Sequence, residues 1–252
     1  MNGSARRSLK SAAQLVLLLL VSWQVLYWCV GEVALRSPFQ TVQFTAKLMG
    51  TQAFWGHLSE TAQAFGIALV LAVVMGLAIG FLLGLNRFAS EMLEPLLIAF
   101  YSIPKITLYP ILLLMFGLGI AAKIAFGAIH GVIPVALFTI TAVHNVRPVF
   151  RKTGRVMGLT PFEVIWQVVL PAALPEIFAG LRIGFSLTLI GTLLGEMFAS
   201  QLGVGFLLMN AIGLHNIDLI MALTFLLTVF AGVASGLLLY VNRHLQERGS
   251  RA

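Results

Sequence analysis

Apolar residues run along this chain in six long blocks, at 11–31, 60–85, 95–117, 122–144, 177–199 and 218–241, parted by shorter polar segments. A helix that crosses the hydrocarbon core of a bilayer needs about 20 mostly apolar residues, so each block reads as a transmembrane helix. The second, from Thr61 to Leu85, and the sixth, from Leu219 to Asn242, carry no formal charge. The third contains only Lys105, and in the fifth Arg182 and Glu196 bracket a short uncharged core. The pattern predicts an all-α membrane protein with six transmembrane helices.

Between the first two blocks, residues 32–59 place Val42, Ala46 and Met49 where one face of a short interfacial helix would lie. Gly66, Gly76, Gly80 and Gly84 in the second block imply close helix packing, because small residues let membrane helices approach. The third block holds three prolines. Pro95 after Glu94 suits a first helical turn, whereas Pro104 and Pro110 each remove a backbone donor inside the span and predict kinks. Freed carbonyls survive at membrane depth only where protein or a hydrated cavity satisfies them, which places this helix in the bundle interior.

Composition agrees. Of 252 residues, 59% are apolar and 10% charged, against about 25% charged in a soluble protein. The net charge of +7 does not point to nucleic acid, because the basic residues sit in short clusters between apolar blocks. With the N-terminus inside, the cytoplasmic side holds Arg6, Arg7, Lys10, Arg87, Arg147, Arg151, Lys152, Arg155, Arg243, Arg248 and Arg251, and the opposite side Arg36, Lys47 and Lys123. That bias predicts both termini in the cytoplasm. The first block is longer than a signal-peptide core and no clean cleavage site follows, so it reads as an uncleaved helix. Cys29 is the single cysteine, which leaves no disulfide framework within the chain.

The loop at 145–176 is long for a link between neighbouring spans. It divides into two short helical pieces at Gly158, a natural stop. The second opens with Thr160, Pro161 and Glu163, which supply a cap, a first-turn proline and the partner of a capping box. Phe162, Ile165, Trp166 and Val169 recur at helical spacing as an apolar stripe outside the bilayer. Pro171 is expected to end the piece, because the residue before a proline disfavours the helical region. The stripe would lie on the inner leaflet or dock on a cytoplasmic partner, and periodicity alone allows both.

These residues resemble the cytoplasmic loop of ABC-importer permeases, whose pattern is Glu-Ala-Ala, three residues, Gly, nine residues and Ile-x-Leu-Pro. Gly158, Val168, Leu170 and Pro171 match at full spacing, while Lys152, Thr153 and Gly154 replace Glu-Ala-Ala. The segment from Ala99 through Tyr101, Ser102, Pro104 and Lys105, with Phe116-Gly117-Leu118-Gly119, is similar to the nitrate/sulfonate/taurine branch. So are the stretch from Leu170 to Arg182, Gly195-Glu196-Met197 and Gly203-Val204-Gly205. The likeness runs from about Gly56 to Tyr240.

The resemblance implies a type I importer fold with coupling helices. The first span and its following segment would occupy 1–55, the transmembrane domain 56–245, and a cytoplasmic tail 246–252. It implies a permease subunit of the bacterial inner membrane that performs no chemistry itself. Its partners would be a second permease copy, identical or different, two ATPase subunits that bind ATP and magnesium, and an extracytoplasmic substrate-binding protein. The solute would be small and anionic. No phosphate-binding loop or metal-ligand cluster is present in the sequence, so no cofactor and no metal is expected in this chain. The competing classes are an ion-coupled secondary transporter, which would want acidic residues or broken helices in matching repeats, and an intramembrane enzyme, for which no nucleophile and base stand out.

Lys105, with Tyr101, Ser102 and Pro104 beside it, and Glu196 are the pathway candidates, because ionisable residues inside spans are functional candidates by default. Lys105 would line a pathway or snorkel to the inner interface. Glu196 would anchor the Gly203–Gly205 turn or face the binding protein. Arg182 reads as a snorkelling residue near the inner interface, and Glu176 as a group at the positive end of a helix dipole. His130 and His144 are too far apart to share one metal.

Overall fold

The computed structural model describes residues 3–198 and 200–249, with side chains described outside 3–13, Arg151, Arg155 and 243–249. The regular structure among the described residues is all helical, in the order α1 (Gly3–Val30), α2 (Pro38–Met49), α3 (Gln52–Leu85), α4 (Arg87–Ser102), a 3-10 turn (Lys105–Leu108), α5 (Tyr109–Phe116), α6 (Ile120–His144), α7 (Pro148–Val156), α8 (Pro161–Val164), a π turn (Ile165–Val169), α9 (Leu170–Phe198), α10 (Val204–Gly213) and α11 (Ile217–Gly249).

Four helical stretches are long and apolar enough to cross a membrane: Gln52–Leu85, Ile120–His144, Pro161–Phe198 and Ile217–Asn242. They become five if α4 and α5, bent by 89° at their junction, count as one span. The apolar stretch of α1, Gln14–Val30, is shorter. Six spans is therefore a larger number than these residues establish. Of the tail expected at 246–252, residues 246–249 continue α11 and the rest lie outside the described residues.

The core is the contact of α3, α6 and α9, with α10 and α11 laid against α9. Gly76 meets Val135 of α6, Gly80 meets Thr139 and Gly84 meets Val143, so three of the four expected glycines form the seam between α3 and α6. The fourth, Gly66, faces open space. Ser37 caps α2 in a capping box with Gln40, and Thr41 and Thr45 are its buried face. Val42 and Met49, on the flank of that face, remain exposed.

The prolines behave differently from the expectation. Pro95 lies inside α4 and opens no helix, since α4 already starts at Arg87 with Asn86 as its cap. Pro104 breaks the span outright: α4 ends at Ser102 and the chain turns through the 3-10 segment. Pro110 produces no kink, because it occupies the first turn of α5, where the missing donor has no partner to lose.

Pro171 does not end a helix either. The polypeptide is helical from Pro161 to Phe198, and the Leu170 N–H bonds to the Ile165 carbonyl across the π turn. A proline crowds the carbonyl four residues back, and a wider π turn directly ahead of it relieves that crowding. The loop helix and the span are thus one continuous rod. Glu176 then lies well inside the helix rather than at a dipole end, and it accepts from Asn145 Nδ2 at 3.0 and 3.1 Å.

Candidate functional site

The loop at 145–176 folds as two short arms joined at Gly158. That glycine has φ +75, and a Cβ added to it would meet nothing within 4 Å, so the turn depends on backbone conformation rather than on space. Thr160 then caps α8. Its hydroxyl accepts from the Glu163 N–H, and the Glu163 carboxylate accepts from the Thr160 N–H at 2.7 Å. The Thr160 hydroxyl also donates to that carboxylate at 2.7 Å, and this bond, with the one from the Thr160 N–H, holds the Glu163 carboxyl below its ordinary pKa.

The apolar stripe divides. Phe162 is 69% and Trp166 56% exposed, with their ring centroids 6.1 Å apart. Ile165 and Val168 are half-buried, and Val169 is buried with Ala142, Val143, Val146, Ala173 and Ile177. The stripe is therefore a root in the bundle and an exposed aromatic tip. The departure from Glu-Ala-Ala also has a structural reading. Lys152 is exposed, the Thr153 hydroxyl donates to the Val149 carbonyl, and Gly154 is buried where a Cβ would lie 3.1 Å from Val164. The third position of the motif needs a small residue because α7 packs there on the Pro161 arm.

At the break in the α4–α5 span, Lys105 turns back on the preceding helix. Its Nζ donates to the Tyr101 carbonyl at 3.0 Å and sits 4.9 Å from the Tyr101 ring centroid. This caps one of the carbonyls freed at the end of α4. Tyr101, Ser102 and Pro104 are exposed, and the Ser102 hydroxyl donates to the Ile98 carbonyl.

Glu196 is far from that break and has no accessible surface. The Thr61 hydroxyl lies 2.9 Å from both of its oxygens and the Gly205 N–H donates to it at 2.9 Å. Gly203, at φ +119, lies against the carboxylate so closely that any side chain would overlap it. His57 Nδ1 accepts from the Gly203 N–H at 3.1 Å. Nearby, Lys123 is 2% exposed, pairs with Glu60 at 3.1 Å and donates to the Leu202 carbonyl at 2.8 Å. Glu196 thus anchors the turn between α9 and α10, one of its two expected roles. Glu60, Lys123, Thr61 and His57 do not stand out as site residues in the sequence. The available signal was the four-residue spacing of His57 and Thr61, which puts both on one face of α3.

Known proteins resemble this chain in sequence and in fold. The family model described as binding-protein-dependent transport system inner membrane component matches residues 72–251. The taurine transport system permease protein of Escherichia coli is 29% identical over 224 residues, 86% of this chain and 82% of that protein. The nitrate import permease protein of Synechocystis is 30% identical over 239 residues, 89% and 82% of the two chains. Among solved structures, an inward-facing methionine ABC transporter matches with TM-score 0.67 at 20% identity, over 75% of this chain and 94% of that one. An amino acid ABC transporter matches with TM-score 0.62 at 19% identity, over 80% and 98%.

Proposed function

This chain belongs to the binding-protein-dependent transport system inner-membrane component family, and from that premise we propose that it forms the translocation pathway of an ATP-driven importer for a small anionic solute. The family is one of membrane permease subunits, with ATP hydrolysis in a separate subunit. The observation that carries the mechanism is the continuous rod from Pro161 to Phe198, which ends outside the bundle in the exposed pair Phe162 and Trp166.

In this reading the aromatic tip seats in a groove of the ATPase, and Gly158, Thr160, Pro161 and Glu163 fix its approach. Val168, Leu170 and Pro171 join the tip to the span without a hinge, so a displacement of the ATPase moves α9 directly. Lys152 is exposed where it meets the same partner. The two ATPase subunits bind ATP and magnesium; this chain pairs with a second permease, most simply its own copy. α1 and the bent α4–α5 pair complete six spans, and both termini are cytoplasmic. Tyr101, Ser102, Pro104 and Lys105 line the pathway, while Glu196 acts on it through the turn that it braces. The names of most relatives, which specify taurine, nitrate, aliphatic sulfonates and bicarbonate, support a small anionic or zwitterionic solute, while one specifies formylaminopyrimidine, which carries no acid group.

Purification of the chain with its ATPase and binding-protein partners tests the reading. ATP-dependent uptake into proteoliposomes that requires all three components is expected. Uptake that persists without the ATPase, driven by a proton or sodium gradient, would overturn it.

A further inference from the structure

Arg182 stands in the inner part of its span, where the sequence places it. It lies about 24 Å from Phe198 by helical rise, most of the way across a hydrocarbon core of about 30 Å. Ser235 on α11 lies about 27 Å from Ile217 by the same rise. Phe198 and Ile217 flank α10, so both residues reach a similar depth from the same end of the bundle.

There they line a cleft of about 320 Å³ with Tyr101, Ile183, Ser186 and Leu187. The three ion pairs among the described residues are Arg36–Asp218, Arg87–Glu91 and Lys123–Glu60, and none includes Arg182. A guanidinium within apolar spans and without a counter-charge is costly. The hydroxyls of Tyr101 and Ser235 also have no hydrogen-bond partner among the described residues. The Ser186 hydroxyl makes only a 3.3 Å bond to the Arg182 carbonyl. The cleft therefore brings together a planar fork of donors, three hydroxyls and two aliphatic walls, with no carboxylate. Lys105 does not line the cleft; its Nζ lies 4.9 Å from the ring centroid of Tyr101, which does.

We infer that this cleft binds a small oxyanion, of the nitrate, bicarbonate or sulfonate kind, as it passes through the bundle. This rests on the permease reading above and gives its solute a specific site. The guanidinium faces two oxygens of the anion at once, a geometry that a point charge does not offer. The hydroxyls satisfy the remaining oxygen, and Ile183 and Leu187 accommodate only a small substituent. The neutral interior walls strengthen the attraction, and the absence of a built-in carboxylate leaves the site available to an anion from outside.

Two sources share this chemistry, a free solute and an anionic lipid headgroup, and the test separates them. The intact complex with its ATPase is placed in nanodiscs of phosphatidylcholine or phosphatidylglycerol. It is titrated with 15N-nitrate and 13C-methanesulfonate against chloride at constant ionic strength, and binding is read as NMR line broadening. Saturable broadening in both lipids is expected, weakened about tenfold or more by Arg182→Gln and less by Arg182→Lys. Tyr101→Phe with Ser235→Ala removes hydroxyls that bond to no described residue, and weakens binding severalfold even where Arg182→Gln fails to assemble. Equal binding in the wild type and these variants, or no saturable binding in phosphatidylcholine, overturns the site. Protection by phosphatidylglycerol alone assigns the cleft to lipid and also overturns it. Retention of the ATPase is measured in the same samples, so loss of the importer reading is seen separately from loss of the anion site.

Discussion

The Thr61 hydroxyl lies 2.9 Å from both carboxylate oxygens of Glu196, and its oxygen also accepts the Val204 N–H at 2.8 Å. One hydroxyl thereby ties α3 to the end of α9 and the start of α10. The carboxylate is fully buried and receives a further bond from Gly205, so this corner of the bundle has little freedom to shift.

Thr61→Val keeps the shape and removes the donor and acceptor. The carboxylate and the Val204 N–H would each lose a partner, at about 1–3 kcal/mol for a buried group left unsatisfied. A lower unfolding temperature of the purified chain in detergent is expected. Gly203→Ala lowers it further, because the new methyl overlaps the Glu196 carboxylate and the φ of +119 disfavours any side chain. Unchanged melting in both variants would remove the clasp as a source of stability.

Gly158→Val strains the positive-φ turn without any collision, and Phe162→Asp puts a charge on the aromatic tip. Both should leave the permease inserted and weaken ATPase recovery in a pull-down. A fully buried Phe contributes about 1.5–3 kcal/mol, so the loss at Phe162 is at least severalfold. If the tip instead lies on the inner leaflet, ATPase recovery stays at the wild-type level and only loop–membrane contact changes.

Lys105→Ala should lower transport by an assembled complex, and Lys105→Arg should retain more activity than Lys105→Glu, because the sign of the charge is what an anion senses. Solute uptake by reconstituted complexes measures this. Equal rates in all three variants would leave Lys105 as a cap on the Tyr101 carbonyl and nothing more.

The depressed pKa of Glu163 has a definite pH signature. The bonds to Thr160 favour the ionised form, so their contribution is complete above the ordinary glutamate pKa of about 4.3 and is lost as pH falls through the lower folded value. Hydrogen exchange across residues 160–169 should be independent of pH-linked cap loss near neutrality and should accelerate in acid, relative to intrinsic exchange. Glu163→Ala should exchange faster near neutrality and lack the acid step. An acid step of wild-type size in that variant would assign the titration to another group.

Topology is tested by reporter fusions. Fusions after Gly50 and Gly205 should report the extracytoplasmic side and one after Gly154 the cytoplasm, as the basic clusters require. A cytoplasmic signal at Gly205 contradicts both the orientation and the span count.

Local chemistry made part of this protein legible without coordinates. The capping box of Thr160 and Glu163, the stop at Gly158 and the four long apolar helices all depend on residues a few positions apart, and the structure contains each. The small residues of α3 likewise announced a close seam, although not which of them would face α6. The behaviour of the prolines was less legible. Whether Pro104 kinks or breaks a span, and whether a π turn carries a helix past Pro171, depends on how the flanking segments pack.

The sequence by itself determined the membrane class and the clustering of positive charge between the apolar blocks. It also determined the family motifs and the capped loop helix, because hydropathy, charge sign and capping act over one helical turn or one span. Tertiary structure alone decided that Glu196 meets Thr61, 135 positions away, that Val169 is buried while Phe162 and Trp166 are not, and that Arg182 shares a cleft with Tyr101 and Ser235. The fate of a polar group in an apolar span is set by the partner that packing brings within hydrogen-bond reach, and no local pattern specifies that partner.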